Sequence, residues 1–430
     1  MKIFRLKQTK EVKICLLVLS FVFLSSCTKQ SREEILSATL EKEIPRLMEA
    51  ANILGLSIAV VRDGKIVWNK SFGIKSWETN EPIRENTMFE AASLTKTVTA
   101  YAALRLVERG ELELDRPLHE YFPDKEYKKL SGDERYKKIT ARLVMTHTPG
   151  LPNRGTRLMR DPGLQYAYSG EGFLYLGRTI EQISDMSLQE FAQKEIFDPI
   201  GMDHTSYVWN ETYAANGACG HDSHGSVHAL RKNTDPNGGA SLLTTASDYA
   251  AFICALLNAQ GLSQETINQM ISRHVQVTVN RDTAELFENV YWGLGWGVQP
   301  GETGDGFWHW GDNGDLMAYT ATYKDRCDGF VYFANRNNGL AIAESVSALI
   351  FPDHQYALDW LDFEKYDDPK RQTRLAVESA FSEEGLEAGM KKLREVEETF
   401  PEMVEEDYLT GLAEYLVESG KQKDAVAVFK

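Results

Sequence analysis

The sequence predicts an α/β (α+β) fold in which an antiparallel sheet is flanked by helices, with an inserted all-helical domain and a C-terminal α-helical tail. Strand patterns occupy about 50–92 and return at about 270–354, whereas the residues between them have helical spacing. Past about residue 355 the composition becomes acidic and strongly helical. A sheet domain interrupted by a helical one accounts for this order of elements.

Length and charge limit the kind of protein. The chain has 430 residues, of which 43% are hydrophobic and 26% are charged. This is enough for one large core, or two, with room for an appendage. The formal net charge is −16 at pH 7. An acidic surface repels phosphate groups, so we expect no nucleic-acid partner.

The first 26 residues are interpreted as an export signal. Five cationic residues precede an apolar run at 14–24, which is too short to span a bilayer. The run ends in Leu24-Ser25-Ser26-Cys27, which resembles the lipobox of bacterial lipoproteins. The resemblance implies that Cys27 is acylated and that the exported protein is lipid-anchored to a bacterial membrane, facing the periplasm or the exterior. The alternative is an ordinary signal peptide with a chance cysteine.

The first predicted strands form a hairpin. Leu56–Val61 and Lys65–Phe72 flank Asp63-Gly64, a pair of turn residues that tolerate positive φ. An antiparallel sheet is therefore expected to begin here.

Helices are predicted in the middle of the chain, at about 93–269. Apolar residues recur at helical spacing from Ala92 to Glu108, and Gly110 offers a C-cap. Two further helices are predicted at Gly172–Ser184 and Ser247–Asn258, the second with Ser247 and Asp248 as its N-cap.

Strand patterns rich in aromatic and β-branched residues return late in the chain, at Tyr291–Val298, Met317–Tyr323 and Gly329–Asn335. The last two are joined by a polar turn. These strands would complete the sheet of one domain at 27–354, leaving 355–430 as a separate tail.

The tail offers two interpretations. Its small and apolar residues have a spacing that resembles a tetratricopeptide repeat: Leu412, Ala413, Leu416, Gly420, Ala425 and Phe429. The match covers about one and a half units, whereas such repeats usually need about three copies for stability. A plain helical tail is the alternative. The tail is where we would expect a protein partner to bind.

Ser93 and Lys96 are the first candidates for chemistry. They lie three residues apart at the start of a predicted helix, so both side chains rise on one face. The spacing alone is weak evidence, since Ser26 and Lys29 share it. A serine N-cap is normally supported by Glu or Gln three residues on, whereas Lys96 places a cation where the helix dipole disfavours it. Function therefore explains the pair better than ordinary capping, which is the alternative.

Two other segments carry groups that could assist a serine. Tyr168-Ser169-Gly170 contains a tyrosine, and His309-Trp310-Gly311 is the only His-x-Gly in the chain. The ordinary pKa of a tyrosine side chain is about 10, so a base role at neutral pH would need neighbouring cations such as Lys96. The alternative for Tyr168 is an aromatic core residue in a tyrosine-rich stretch.

The order Ser-x-x-Lys, Tyr-Ser and His-x-Gly resembles the class C β-lactamase and D-alanyl-D-alanine carboxypeptidase family, which also contains esterases and D-amino-acid peptidases. Flanking segments extend the resemblance over about 55–345. They are Leu143–Leu151, Ile196–Met202, and Gly238-Gly239 followed by Thr245.

The resemblance implies a β-lactamase/transpeptidase-like fold and a serine hydrolase that acts on an amide or ester bond of a small molecule or peptide through an acyl-enzyme. It implies Ser93 as nucleophile and Lys96 with Tyr168 as its activating pair. His309 stands where many relatives carry lysine. The backbone N–H groups of Ser93 and Asp312 would hold the oxyanion. No metal or organic cofactor is implied.

Gly170 and Gly311 fall in the motifs that contact substrate in the family. Lactam-hydrolysing relatives usually have asparagine at the position of Gly170, and its amide holds a carbonyl of the substrate. The glycine, together with His309, puts efficient β-lactam turnover in doubt and leaves esterase or peptidase activity open. The competing hypothesis is a non-catalytic penicillin-recognising fold that serves as a membrane-anchored binding or sensing module.

Histidines and cysteines outside these motifs suggest no further chemistry. Cys219 with His221, His224 and His228 invites a zinc interpretation, but the glycine- and serine-rich loop around them makes a chance cluster the preferred explanation, and no metal site is predicted. Three cysteines follow the leader, an odd number without Cys-x-x-Cys spacing, so at least one would stay free or pair between chains. Cys254, in an apolar helical pattern, is interpreted as a buried structural thiol.

Overall fold

The computed structural model describes residues 32–122, 132–155, 157–222, 226–279, 284–404, 406–418 and 420–428. The chain divides into two compact units, Met1–Arg46 and Leu47–Lys430. The leader at 1–26 and Cys27 lie outside the described residues. Among the residues that are described, none of the helices is long and apolar enough to cross a membrane.

One eight-stranded antiparallel sheet is the centre of the second unit. Its strands come from both ends of the predicted domain, and their spatial order is β2-β1-β8-β7-β6-β5-β4-β3. They are β1 (Gly55–Arg62), β2 (Lys65–Gly73), β3 (Val275–Thr278), β4 (Leu286–Trp292), β5 (Gly297–Gln299), β6 (Gly306–Asp312), β7 (Met317–Tyr323) and β8 (Asp328–Ala334). The pairing of β1 with β8 joins an early strand to the last one, which confirms a sheet interrupted by an insertion.

The predicted hairpin is present. Asp63 and Gly64 both have positive φ, at +49° and +68°, as the tight turn between β1 and β2 requires. Strand β1 is buried along almost its whole length because β2 and β8 pair with its two edges and the helix at Ala246–Leu257 packs on it. The late strands β7 and β8 agree with the predicted segments to within one residue.

The helices of the described residues lie before the first strand, in the insertion, and after the last strand. They are α1 (32–50), α2 (Thr95–Glu108), α3 (Ala141–Met145), α4 (Gly170–Ser184), α5 (Leu188–Ala192), α6 (Asp198–Ile200), α7 (Ala246–Leu257), α8 (Gln264–Met270), α9 (Ala343–Ile350), α10 (Tyr356–Leu361), α11 (Pro369–Ser379), α12 (Leu386–Thr399), α13 (Glu406–Glu418) and α14 (Gln422–Val428).

Helix α2 is buried on nearly all sides, which is why it can position reactive groups rigidly. Its polar residues are paired inside the core: the Thr97 hydroxyl lies 2.7 Å from the Tyr249 hydroxyl, and the Thr99 hydroxyl donates to the Gly238 carbonyl at 2.8 Å. Buried polar groups need such partners, because an unpaired one costs about 1–3 kcal/mol.

Two local predictions are wrong. Tyr291–Val298 is not one strand, because Gly293 and Gly295 form a turn between β4 and β5 in which Gly295 has a φ of +88°. The N-cap of α7 is Thr245 instead of Ser247 or Asp248, and its hydroxyl accepts a hydrogen bond from the Asp248 amide at 3.1 Å.

The tail consists of helices, as predicted, and α11–α14 share a hydrophobic cluster that includes Val377, Phe381, Leu393 and Leu416. The tetratricopeptide resemblance stays a prediction. Helix α10 instead packs against the sheet. The Ala357 amide donates to Gln299 Oε1 of β5 at 2.8 Å, and Gln299 Nε2 donates to Gln355 Oε1 at 2.9 Å.

Candidate active site

Ser93 lies in a 3₁₀ turn (Ala92–Leu94) directly before α2. Ala92 has a φ of +46°, a left-handed conformation that costs a residue with a side chain about 1–2 kcal/mol. The Thr95 hydroxyl donates to the Ala92 carbonyl at 2.5 Å and helps to hold the turn. The Ser93 hydroxyl does not cap the helix, since no side chain caps either the turn or α2. Ordinary capping therefore does not explain this serine.

Lys96 lies one helical turn after Ser93, and its side chain is buried. Its Nζ donates to Ser93 Oγ at 3.0 Å and to the Gly239 carbonyl at 2.7 Å. Burial lowers the pKa of Lys96 to about 7, because removal from water disfavours the charged ammonium. Near neutral pH a large fraction of the amine is thus unprotonated and able to accept a proton.

Tyr168 lies on the other side of Lys96, with its ring centroid 4.8 Å from the Lys96 Nζ. Its ring is partly exposed, whereas its hydroxyl oxygen is buried and makes no hydrogen bond of ordinary geometry with the described residues. Burial raises the pKa of Tyr168, and the nearby Ser93 hydroxyl offsets only part of that rise. Burial thus favours the protonated phenol, and the base role of Tyr168 stays a prediction.

His147 supports the segment that carries Tyr168. The Ser169 amide donates to His147 Nδ1 at 3.0 Å, and the imidazole ring lies 4.2 Å from the Tyr168 ring between centroids. Burial holds the pKa of His147 well below its usual value, so the ring is neutral. Ser169 in turn accepts a hydrogen bond from the Gly172 amide at 3.0 Å and caps α4. Together these contacts fix the position of Tyr168.

His309 is buried on β6 next to these groups. Its Nδ1 lies 2.8 Å from the Trp310 carbonyl, which can only accept, so Nδ1 carries the proton. Burial, together with the Lys96 charge, lowers the pKa of His309 to about 3. At neutral pH His309 is therefore uncharged and cannot supply the positive charge of a lysine at this position.

Strand β6 brings Asp312 close to the turn that carries Ser93. From His309 onward β6 pairs with β7 but no longer with β5, so one edge of the strand is left for the turn. A Cβ at Gly311 would lie 2.4 Å from the Ala91 carbonyl oxygen, so this close approach requires glycine. Gly311 thus has a packing role, and Ser93 and Asp312 both line the adjacent cavity.

A cavity of about 480 Å³ opens over Ser93. Tyr168 and Asp312 line it close to the serine, and Trp310 and Trp360 contribute aromatic surface. The volume is within the usual range for small-molecule sites. The structure thus brings Ser93, Lys96, Tyr168, His309 and Asp312 together at one site.

Gly170 is not part of the cavity lining. A Cβ at this position would lie 2.5 Å from the carbonyl oxygen and 2.7 Å from the side-chain Oδ1 of Asn153. The position therefore faces the Asn153 segment, which itself lines the cavity. The interpretation of Gly170 as an empty amide position open to substrate is corrected: the neighbouring chain already fills the space that a side chain would need.

Sequence reasoning missed three features of the site. The Gly239 carbonyl is the second acceptor for Lys96, although the glycine pair was noticed as part of a motif. Asn153 lines the cavity from a loop, and Trp360 lines it from helix α10 of the tail. Trp360 had no signal in the sequence, because only the fold brings α10 back to the sheet.

The described cysteines, and the described histidines of the zinc interpretation, do not line this cavity. Within the described residues no group of three His, Cys, Asp or Glu side chains could hold a metal ion, and His224 lies outside those residues. His228 Nδ1 is 2.8 Å from Asp315 Oδ2. Cys219, Cys254 and Cys327 are all free. Cys254 is only partly buried, although burial still raises its thiol pKa to about 11.

Comparison with known sequences identifies the family. The sequence pattern that defines the Beta-lactamase family matches residues 40–352. The chain belongs to the Beta-lactamase family. It is 24% identical over 296 residues to "Beta-lactamase" of Escherichia coli (strain K12), which covers 64% of this chain and 75% of that protein. It is also 24% identical over 265 residues to "Protein flp" of Staphylococcus aureus (strain MRSA252), covering 56% and 52%. The chain spans about half the length of the Protein flp relatives.

Solved structures share the fold. The octameric penicillin-binding protein homologue from Pyrococcus abyssi superimposes with a TM-score of 0.61 at 22% identity, covering 80% of this chain and 81% of that one. D-alanine carboxypeptidase AmpC from Burkholderia cenocepacia gives a TM-score of 0.61 at 22% identity, covering 71% and 95%. These similarities confirm the predicted β-lactamase/transpeptidase-like architecture.

Proposed function

We propose that this protein is a serine hydrolase that cleaves ester or amide bonds through an acyl-enzyme on Ser93. The observation that carries the proposal is the 3.0 Å hydrogen bond between Lys96 Nζ and Ser93 Oγ, combined with a Lys96 pKa of about 7. A base in contact with a serine, with a pKa near the working pH, is the arrangement that general-base activation of a nucleophile requires.

Acylation would proceed as follows. The neutral Lys96 amine accepts the Ser93 proton while Ser93 Oγ bonds to the substrate carbonyl carbon. The backbone N–H groups of Ser93 and Asp312 would stabilise the oxyanion of the tetrahedral intermediate. When the bond to the leaving group breaks, that group needs a proton. Tyr168 is suited to donate it, because its phenol is protonated, and the proton on Lys96 then restores the phenol. Water afterwards hydrolyses the acyl-enzyme.

The relatives support the reaction class. The names of the Escherichia coli and Burkholderia cenocepacia proteins, a β-lactamase and a D-alanine carboxypeptidase, describe enzymes that act on amide bonds. A small molecule or a peptide is therefore the proposed kind of substrate.

We expect small neutral esters to be hydrolysed with a higher kcat/KM than cephalosporins. A cephalosporin carries a carboxylate, and neutral His309 offers it no charge at the position where many relatives carry lysine. The initial rates of p-nitrophenyl acetate and nitrocefin, measured on one protein preparation at pH 7.5, test this order. A larger kcat/KM for nitrocefin would contradict it.

A fluorophosphonate probe tests the proposed function directly. We expect the folded protein to be labelled covalently on Ser93, because the probe reacts with activated serines. Peptide mass spectrometry locates the adduct. Ser93→Ala should remove labelling without lowering the melting temperature by more than a few degrees, because the hydroxyl does not cap α2. Heat-unfolded protein is the second control. Folded wild-type protein that takes up no label would support the non-catalytic binding module instead.

We also propose that Cys27 is the site of lipid attachment, on the strength of the lipobox-like sequence alone. Bacteria expressing the full chain and fed an alkyne fatty acid should yield labelled protein, and Cys27→Ser should yield none. Cys254→Ser is a matched control that keeps Cys27 and should label normally. Absence of label from the wild type, or label on Cys27→Ser, would contradict the anchor.

A further inference from the structure

We propose that Trp360, from helix α10, forms with Trp310 an aromatic subsite that binds an apolar ring of the substrate beside the scissile bond. The inference names a substrate class for the proposed hydrolase and rests on that function. Trp360 lies beyond residues 40–352, the part of the chain that matches the family. The Trp360 part of the subsite therefore lies outside the family match, whereas Trp310 lies within it.

Trp360 is held firmly at the cavity wall. Its indole Nε1 donates to the Thr278 carbonyl of β3 at 3.0 Å. Its ring centroid lies 5.8 Å from that of Tyr166 and 5.9 Å from those of Trp308 and Trp310. These contacts leave the indole little freedom, so binding a ligand to it costs little ordering entropy.

The aromatic surface continues to the reacting groups. The ring of Trp310 stacks on His309 at 5.3 Å and lies 4.8 Å from the ring of Tyr168. Tyr168 in turn borders Lys96 and Ser93. A ligand whose ring lies against Trp310 and Trp360 would therefore have its carbonyl group close to Ser93.

Exposure separates these two tryptophans from their neighbours. Trp292, Trp296 and Trp308 belong to the same part of the molecule and are completely buried, as core residues should be. Trp310 and Trp360 are only partly buried, and both line the cavity. Apolar aromatic surface left open in a concave site is the usual mark of ligand contact.

The rest of the lining also suits an apolar ring. Aromatic faces attract apolar rings as well as cations. The two charged residues in the lining, Arg160 and Asp312, have opposite signs. Met159 lines the cavity as well and adds a polarizable thioether suited to aromatic partners.

Three esters test the subsite. Ethyl phenylacetate carries a ring on the acyl side of the scissile bond, and benzyl acetate carries one on the alcohol side. Ethyl acetate has no ring. We expect the wild type to hydrolyse one of the two ring-bearing esters with a higher kcat/KM than ethyl acetate. Trp360→Ala should reduce this ratio of kcat/KM values about tenfold, because only the ring-bearing ester loses an aromatic contact. Trp360→Phe should keep most of the preference, because it retains a ring. Trp77→Ala, which removes an exposed tryptophan outside the cavity lining, should match the wild type.

Other outcomes would overturn the subsite. Equal losses on all three esters, or losses as large in Trp360→Phe as in Trp360→Ala, would assign Trp360 a structural role. A calorimetric titration with phenylacetamide in the Ser93→Ala background separates this inference from catalysis. We expect binding there that weakens about tenfold when Trp360→Ala is added. If Trp360→Ala leaves binding unchanged, or if neither protein binds phenylacetamide, the subsite is refuted even when the wild type hydrolyses esters. If phenylacetamide binds as expected but the wild type hydrolyses no ester, only the proposed function is refuted.

Discussion

Lys96→Met is expected to abolish hydrolysis and at the same time to stabilise the protein. The substitution removes the amine that makes a 3.0 Å hydrogen bond with Ser93, and loss of a general base typically costs about 10²- to 10⁴-fold in rate. It also removes a buried amine whose charged form is disfavoured by burial. Methionine fills similar space without that penalty. The Gly239 carbonyl loses its hydrogen-bond partner, and this loss offsets part of the stabilisation. We therefore expect a net gain of about 1–3 kcal/mol in unfolding free energy at pH 7.

The pH dependence of this difference has a definite sign. The folded-state pKa of Lys96, about 7, is lower than the unfolded value of about 10.5. Between these values the unfolded chain binds more protons, so the stability of the wild type rises with pH relative to Lys96→Met. The difference in unfolding free energy between Lys96→Met and the wild type should therefore narrow from pH 7 to pH 10 and stay constant below pH 7.

Denaturant unfolding at several pH values, together with acylation rates, measures both effects. The acylation rate of the wild type should rise as the pH increases through about 7 and then level off. Lys65→Met, which alters an exposed lysine on β2, should change neither rate nor stability. A Lys96→Met protein that is active, or one that is less stable than the wild type at pH 7, would contradict the assigned role or the burial penalty respectively.

Tyr168→Phe is expected to lower turnover about 10²- to 10⁴-fold while leaving the fold intact. The ring contacts with His147 and Trp310 are retained, and the deleted hydroxyl makes no ordinary hydrogen bond within the described structure. If Tyr168 donates a proton to the leaving group, the loss must depend on that group. Ethyl esters, which release a basic alkoxide, should be affected more than p-nitrophenyl esters, whose leaving group needs little protonation.

The matched control is Tyr319→Phe. Tyr319 is fully buried on β7, and its hydroxyl also has no partner in the described structure, but it does not line the cavity. We expect wild-type rates for both esters in this variant. Equal rate losses for the two esters in Tyr168→Phe would indicate that the tyrosine does not act on the leaving group, and unchanged rates would assign proton transfer to Lys96 alone.

Local patterns predicted the parts of the site that depend on local geometry. Ser93 and Lys96 meet because residues three apart share one face of a helix. The aromatic and β-branched residues of 317–323 match a strand that is buried in the sheet. The prediction of one strand at 291–298 is wrong because two glycines inside an aromatic run form a turn. Their positions matter only once the backbone of 270–272 packs against Gly293.

Long-range packing decided what the sequence did not reveal. The pKa directions of Lys96, Tyr168 and His309 follow from burial by segments that are distant in the chain, so the order of the motifs indicated which groups meet but not which of them hold protons. The lack of space for a side chain at Gly170 likewise depends on Asn153, seventeen residues earlier in the chain. Spacing along the chain carries no information about such contacts.

The hydrogen bonds between β5 and α10 also affect how the protein can be shortened. A chain cut at residue 352, where the family match ends, would lose the Gln355 side chain and the Ala357 amide that pair with Gln299 in the core. It would also leave the Thr278 carbonyl without the indole that covers it. The smallest fragment suitable for biochemical work therefore extends at least through Leu361, the end of α10.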